Sequence, residues 1–129
     1  MQPIRVEIAP GELIDKITIL EIKRERIQDA LKLRNVVAEL EMLTETRDTC
    51  LPGSEALSQF TAELKDINET LWQIENDIRD CERRGDFGPR FIELARSVYR
   101  QNDRRAAIKR QINELLGSAL QEEKSYRSY

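Results

Sequence analysis

Leu57, Phe60, Leu64, Ile67, Leu71, Ile74, Ile78 and Cys81 recur at steps of three and four without a break. Only an α-helix places all eight on one side, because its side chains return to the same face every 3.6 residues. The stripe spans close to 30 residues, or about 45 Å at 1.5 Å per residue. It therefore has to be covered by other helices of comparable length. The sequence predicts an all-α fold, an elongated antiparallel bundle of three to four long helices, with Leu57, Phe60, Leu64, Ile67, Leu71, Ile74 and Ile78 as its packing residues.

The helix ends are marked as clearly as the stripe. Ser54 is placed to cap a helix over 55–84, Arg83 and Arg84 lie in its last turn, and Gly85 stands just beyond as a stop. A short turn, Asp86 to Pro89, leads into a second helix over 89–116 with Gly117 as its stop, so the two pair as an antiparallel hairpin. Upstream, Pro10 suits a helix start. Leu13, Ile17, Leu20, Ile27 and Leu31 make one face, and Leu33, Val37, Leu40 and Leu43 continue it about one residue out of phase. Asp29 is a good cap at the slip, which predicts helices over 11–28 and 30–48, either collinear or kinked. The remaining residues, 117–129, read as a polar tail of a single domain spanning 1–129.

Ile4, Val6 and Ile8 alternate with Arg5 and Glu7, the period-two pattern of a half-buried strand over 3–8. A lone strand cannot satisfy its own backbone. Its mate would be the same strand of a second subunit, the carboxy-terminal tail, or an edge on another protein; the alternative is an extended leader. The pattern hints at a homodimer.

Composition narrows the chemistry. The chain has no histidine, which removes the usual general base and the commonest metal ligand. No Walker loop, GxGxxG or CxxC pair is present. No cofactor, no metal and no catalytic residue is expected. Cys50 and Cys81 flank the long helix and lie too far apart to bridge, so both are expected as free thiols. The amino terminus has no basic-then-apolar leader pattern and no apolar run is long enough to span a bilayer, which predicts a cytoplasmic protein with no membrane partner.

Charge is distributed unevenly. Residues 79–110 hold ten Arg and Lys against five Asp and Glu, whereas residues 1–78 hold nine against sixteen. Arg96, Arg100 and Arg104 form a stripe at steps of four, with Tyr99 beside it. Such a stripe can bind an anion or can pair with acidic surface elsewhere in the bundle. The net charge of −3 argues against nucleic acid as a partner. Gln101 and Arg105 interrupt the apolar face of the last helix and Arg24 interrupts that of the first, which predicts a polar layer if Arg24 and Arg105 share a level. A layer of this kind fixes register, or lines a pocket for an anion or small metabolite built from Arg24, Arg96, Tyr99, Arg100, Arg104 and Arg105. Trp72 lies one position off the seam and needs its own cover, from a third helix, a second subunit or a stacked ligand.

The stretches GELIDKITILEIKRERI, residues 11–27, and LWQIENDIRDCERRGDFGPRFIELARSVYRQNDRRAAIKRQINELLGSALQEEKSY, residues 71–126, resemble an uncharacterised bacterial family, a domain of unknown function. Members of that family are small stand-alone proteins, some associated with glycosyltransferases or tetratricopeptide-repeat proteins of surface-glycan pathways. The resemblance implies a bacterial source and a protein partner in glycan synthesis, and it transfers no catalytic residue. Leu13, Ile14, Asp15 and Ile17 also look like the first helix of the all-helical chorismate mutases, which bind a dicarboxylate through two arginines and a lysine. Aligned on Ile14 and Asp15, those cations fall at Gly11, Gln28 and Glu39, so the likeness is one of helix pattern without the binding charge. Together these features predict a non-catalytic helical interaction module.

Overall fold

Pro10 opens the first helix, α1 (Pro10–Arg26), with Glu12 in its first turn and Lys23, Arg24 and Arg26 in its last, each sign complementing the helix dipole. In the computed structural model, which describes all of residues 1–129, Ile27 then turns to extended backbone and Asp29 accepts a bond from the Lys32 N–H at 3.0 Å. That cap starts α2 (Ala30–Cys50). Ser54 Oγ accepts from the Leu57 N–H at 3.1 Å and starts α3 (Glu55–Arg84). Gly85 adopts φ 66°, a left-handed geometry that closes α3 and lets the Asp86 N–H reach the Cys81 carbonyl at 2.9 Å. Pro89 begins α4 (Pro89–Leu115).

The predicted boundaries shift by at most two residues, α1 ending before residue 28 and α2 running on to Cys50. The phase slip at Asp29 is a chain reversal, neither a collinear rod nor a kink. Leu13, Ile17 and Leu20 of α1 pack against Val36 and Leu40 of α2 in an antiparallel hairpin, with Leu43 and Leu51 closing its far end. One correction concerns the amino terminus: residues 1–9 form no strand. No second strand exists in the chain for 3–8 to pair with, and Ile4 and Val6 stay 82% and 74% exposed.

α1 is the hub. It touches all three other helices, whereas α2 touches α1 alone. Its amino end lies against the carboxy-terminal half of α4, so it runs antiparallel to α4 and parallel to α3. With 17 residues against the 30 of α3, it covers only the near half of the α3–α4 hairpin. Apolar burial is accordingly divided among the α1–α2 hairpin, a central patch of Ile14, Leu57, Leu64 and Ile112, and an outer patch of Ile74, Cys81 and Leu94. Of the seam residues, Leu57, Leu64, Ile67, Ile74 and Cys81 are buried; Phe60, Leu71 and Ile78 are half-buried. Both cysteines are free, Cys50 exposed at the end of α2.

Candidate functional site: a polar layer and the groove above it

Gly11, Ile14, Asp15, Thr18 and Ile22 share one face of α1, and all five are buried. Two of them are polar, and each finds its partners on other helices. Asp15, 1% exposed, receives Arg105 through two guanidinium nitrogens, Nε at 2.9 Å to Oδ1 and Nη2 to Oδ2. Asn68 of α3 donates its amide Nδ2 to Asp15 Oδ1 at 2.9 Å and to Thr18 Oγ1 at 3.0 Å. The Thr18 hydroxyl in turn donates to the Asp15 carbonyl at 2.8 Å. Three helices thus meet in one hydrogen-bonded layer. The bond from Asp15, with its negative charge close by, raises the Arg105 pKa against the effect of burial and keeps the guanidinium charged.

One turn toward the amino end of α1, a second layer repeats the arrangement. The Gly11 N–H donates to Asn113 Oδ1 at 2.7 Å. A Cβ at Gly11 would overlap the Lys109 carbonyl oxygen and stand 2.9 Å from Asn113 Oδ1, so only glycine lets α1 come this close to α4. Lys109 is 9% exposed and reaches Glu12 and Glu122, each at 2.7 Å. Burial pushes its pKa down, but the two carboxylates outweigh that and hold it above the usual lysine value.

Glu122 belongs to the tail, which runs back along α4. Asn113 donates to Gln121 at 3.3 Å, Arg110 meets Glu123 at 3.3 Å, and the Tyr129 ring packs edge-on to Tyr99 with centroids 5.1 Å apart. Hydrogen bonding to Asp103, aided by slight desolvation, raises the Tyr129 phenol pKa.

Beside the Asp15 layer lies an open groove of about 470 Å³ between α1, α3 and α4. Ile19 of α1 and Leu71 and Trp72 of α3 supply its apolar sides, with Ile22 buried at its floor. Asn68, Asn76, Asn102, Glu75, Arg79 and Arg105 supply its polar atoms. Trp72 is half-buried at the groove edge instead of being covered by another helix.

Of the six residues predicted to gather around an anion, only Arg105 lines this groove. Arg24 is exposed at the end of α1, nine residues and about 13 Å of helix rise from Asp15, so it does not share a level with Arg105. Glu21 and Glu25, on the same helix as Arg24, pair with Lys65 at 3.5 and 2.7 Å. Arg96, Tyr99, Arg100 and Arg104 are exposed along α4, where Arg104 bonds Gln101 at 3.2 Å and Tyr99 meets the tail. Gln28 and Glu39 lie exposed, whereas Gly11 is buried against Lys109 and Asn113 of α4. No group of three cysteine or acidic side chains converges in the manner of metal ligands. Thr18, Asn68 and Asn113 went unread in the sequence, and Asp15 was read only for its helix pattern, although Asp15 and Thr18 sit on a stripe with Ile14 and Ile22, and Asn68 lies one turn from Leu64.

No curated protein and no solved structure gives a significant match to the chain. No helix is long and apolar enough to cross a membrane. A family model described as a family of unknown function does match, over residues 4–129. The chain belongs to that family, DUF6165.

Proposed function

We propose that the protein is a non-catalytic association module that pairs with a second copy of itself through residues 4–8. The observation that carries this reading is the exposed, unpaired amino-terminal segment. Residues 1–8 make no backbone hydrogen bond, and their apolar side chains alternate in solvent. The segment is also self-complementary. In an antiparallel pair centred on Val6, Arg5 faces Glu7 of the other copy and Glu7 faces its Arg5, while Ile4 faces Ile8. The segment borders an apolar groove of about 710 Å³ with Leu13, Met42, Leu43 and Leu51 of the α1–α2 hairpin, and Met42 is 59% exposed. Pairing would exchange backbone bonds to water for bonds across the pair and cover this apolar surface.

The charge register gives the test. Arg5→Glu or Glu7→Arg alone sets like charges across the pair, and should weaken dimerisation in sedimentation equilibrium by on the order of 1–3 kcal/mol. The double swap restores opposite charges and should restore the dimer. A wild-type chain that stays monomeric, or single and double variants that behave alike, would refute the pairing.

The resemblance of residues 11–27 and 71–126 supports a setting for such a module as an accessory protein of bacterial surface-glycan synthesis, in the cytoplasm, joined to a protein partner of that pathway. Co-purification of the tagged chain with a glycosyltransferase from a native host would test that setting separately.

A further inference from the structure

The groove between α1, α3 and α4 shares no residue with the amino-terminal face and needs an explanation of its own. It is lined by Ile19 of α1 and by Leu71 and Trp72 of α3, with Ile22, only 1% exposed, at its floor. Its charges are already neutralised within the chain. Arg105 is bound by Asp15, and Arg79 is paired with Glu75. A phosphate or carboxylate ligand would therefore have to compete with an existing partner for either cation. What remains uncommitted is amide. Asn68 is 5% exposed and spends its Nδ2 on Asp15 and Thr18, while no donor reaches its Oδ1. Every fully enclosed side-chain polar atom in the molecule has a partner, so this free oxygen is not fully enclosed, and Asn68 lines the groove. Asn102 accepts from Arg105 at 3.5 Å through Oδ1 and keeps its Nδ2 free; the Asn76 side chain makes no hydrogen bond within the chain.

We infer that this groove binds a neutral nucleoside, its base held between Trp72 of α3 and Ile19 of α1 and its edge read by the amides of Asn68 and Asn102. A planar heterocycle suits two apolar walls, since a base stacks on an aromatic ring whatever its identity. An asparagine amide offers one donor and one acceptor side by side, which is the pattern a base edge presents. Asn68 presents an acceptor and Asn102 a donor. The volume is within the range of small-molecule sites and admits a base with its sugar.

Trp72 is the only tryptophan, so its fluorescence reports this groove without interference from another indole. The full chain is titrated with adenosine, guanosine, cytidine and uridine, with emission excited at the red edge of indole absorption and heats of binding recorded in parallel. Saturable quenching by at least one nucleoside is expected. Asn102→Leu, at a half-exposed position, should weaken it by roughly tenfold. Trp72→Leu should abolish the heat of binding while the far-ultraviolet spectrum stays helical. AMP should bind no more tightly than adenosine. Absence of saturable quenching, a response to neutral disaccharides alone, or a tenfold preference for AMP would each overturn the proposal, the last by showing that an anion is what the groove selects.

Discussion

Gly11 and Asp15 hold α1 in place by opposite means, one by lacking a side chain and the other by burying a charge. Gly11→Ala adds a single carbon where the Lys109 carbonyl oxygen already stands, and neither backbone can move without parting α1 from α4. Overpacking of this kind should cost about 1–3 kcal/mol in urea unfolding; an unchanged midpoint would mean that the helices sit further apart. Asp15→Leu leaves Arg105 facing an apolar neighbour. Loss of about 3 kcal/mol is expected, the low end for breaking a buried pair, because 29% of the Arg105 side chain still meets water. Adding Arg105→Met should recover part of the loss, since the orphaned charge leaves with it. Recovery in that double variant separates the cost of an unpaired cation from the cost of lost packing.

At the scale of elements, the seam of α3 grades its own residues. Leu64 is fully buried in the central patch, whereas Leu71 is half-buried at the groove. Leu64→Ala should therefore cost about 2–5 kcal/mol and Leu71→Ala clearly less, measured in the same denaturation series. Helix positions were readable in the sequence because stripe, caps and stop glycines agree on them, as at Ser54 and Gly85. The strand over 3–8 was misread because alternation describes a side-chain pattern and says nothing of whether a mate exists. The arginine stripe shows a related limit: a step of four fixes a common face of α4 but not what lies opposite it, and no other helix does. The tail was legible only as polar, yet Glu122, Glu123 and Tyr129 dock along α4. Lys109 and Tyr129 both have raised pKa values. A group whose pKa rises on folding stabilises the fold fully below its unfolded value and loses that contribution as pH climbs through the folded one. For lysine and tyrosine that places the loss above about pH 10. Tm should hold steady up to about pH 9.5 and then fall, and Lys109→Met should flatten the fall; an equal slope in that variant would assign the effect to other groups.

The whole molecule is three small apolar patches joined by polar layers, with α1 as the only helix that touches the other three. Such a fold is not uniformly stable, since each region opens at the cost of the contacts it alone holds. The outer half of the α3–α4 hairpin, from Ile74 round the Gly85 turn to Val98, rests on two helices and a patch of three buried residues. α2 rests on α1 alone. Opening of α1 itself would break the Asp15 and Gly11 layers together with both larger apolar patches, so its amides can exchange only when nearly everything unfolds. Native-state hydrogen exchange should therefore rank α1 and the facing turns of α3 and α4 as slowest, with residues 78–92 exchanging at least about tenfold faster. Leu94→Ala should speed exchange in the outer hairpin and leave α1 unchanged, because the residue it shortens touches only the outer patch. Were the tip as protected as α1, the hairpin and the hub would be one cooperative unit, and the polar layers would couple the patches instead of dividing them.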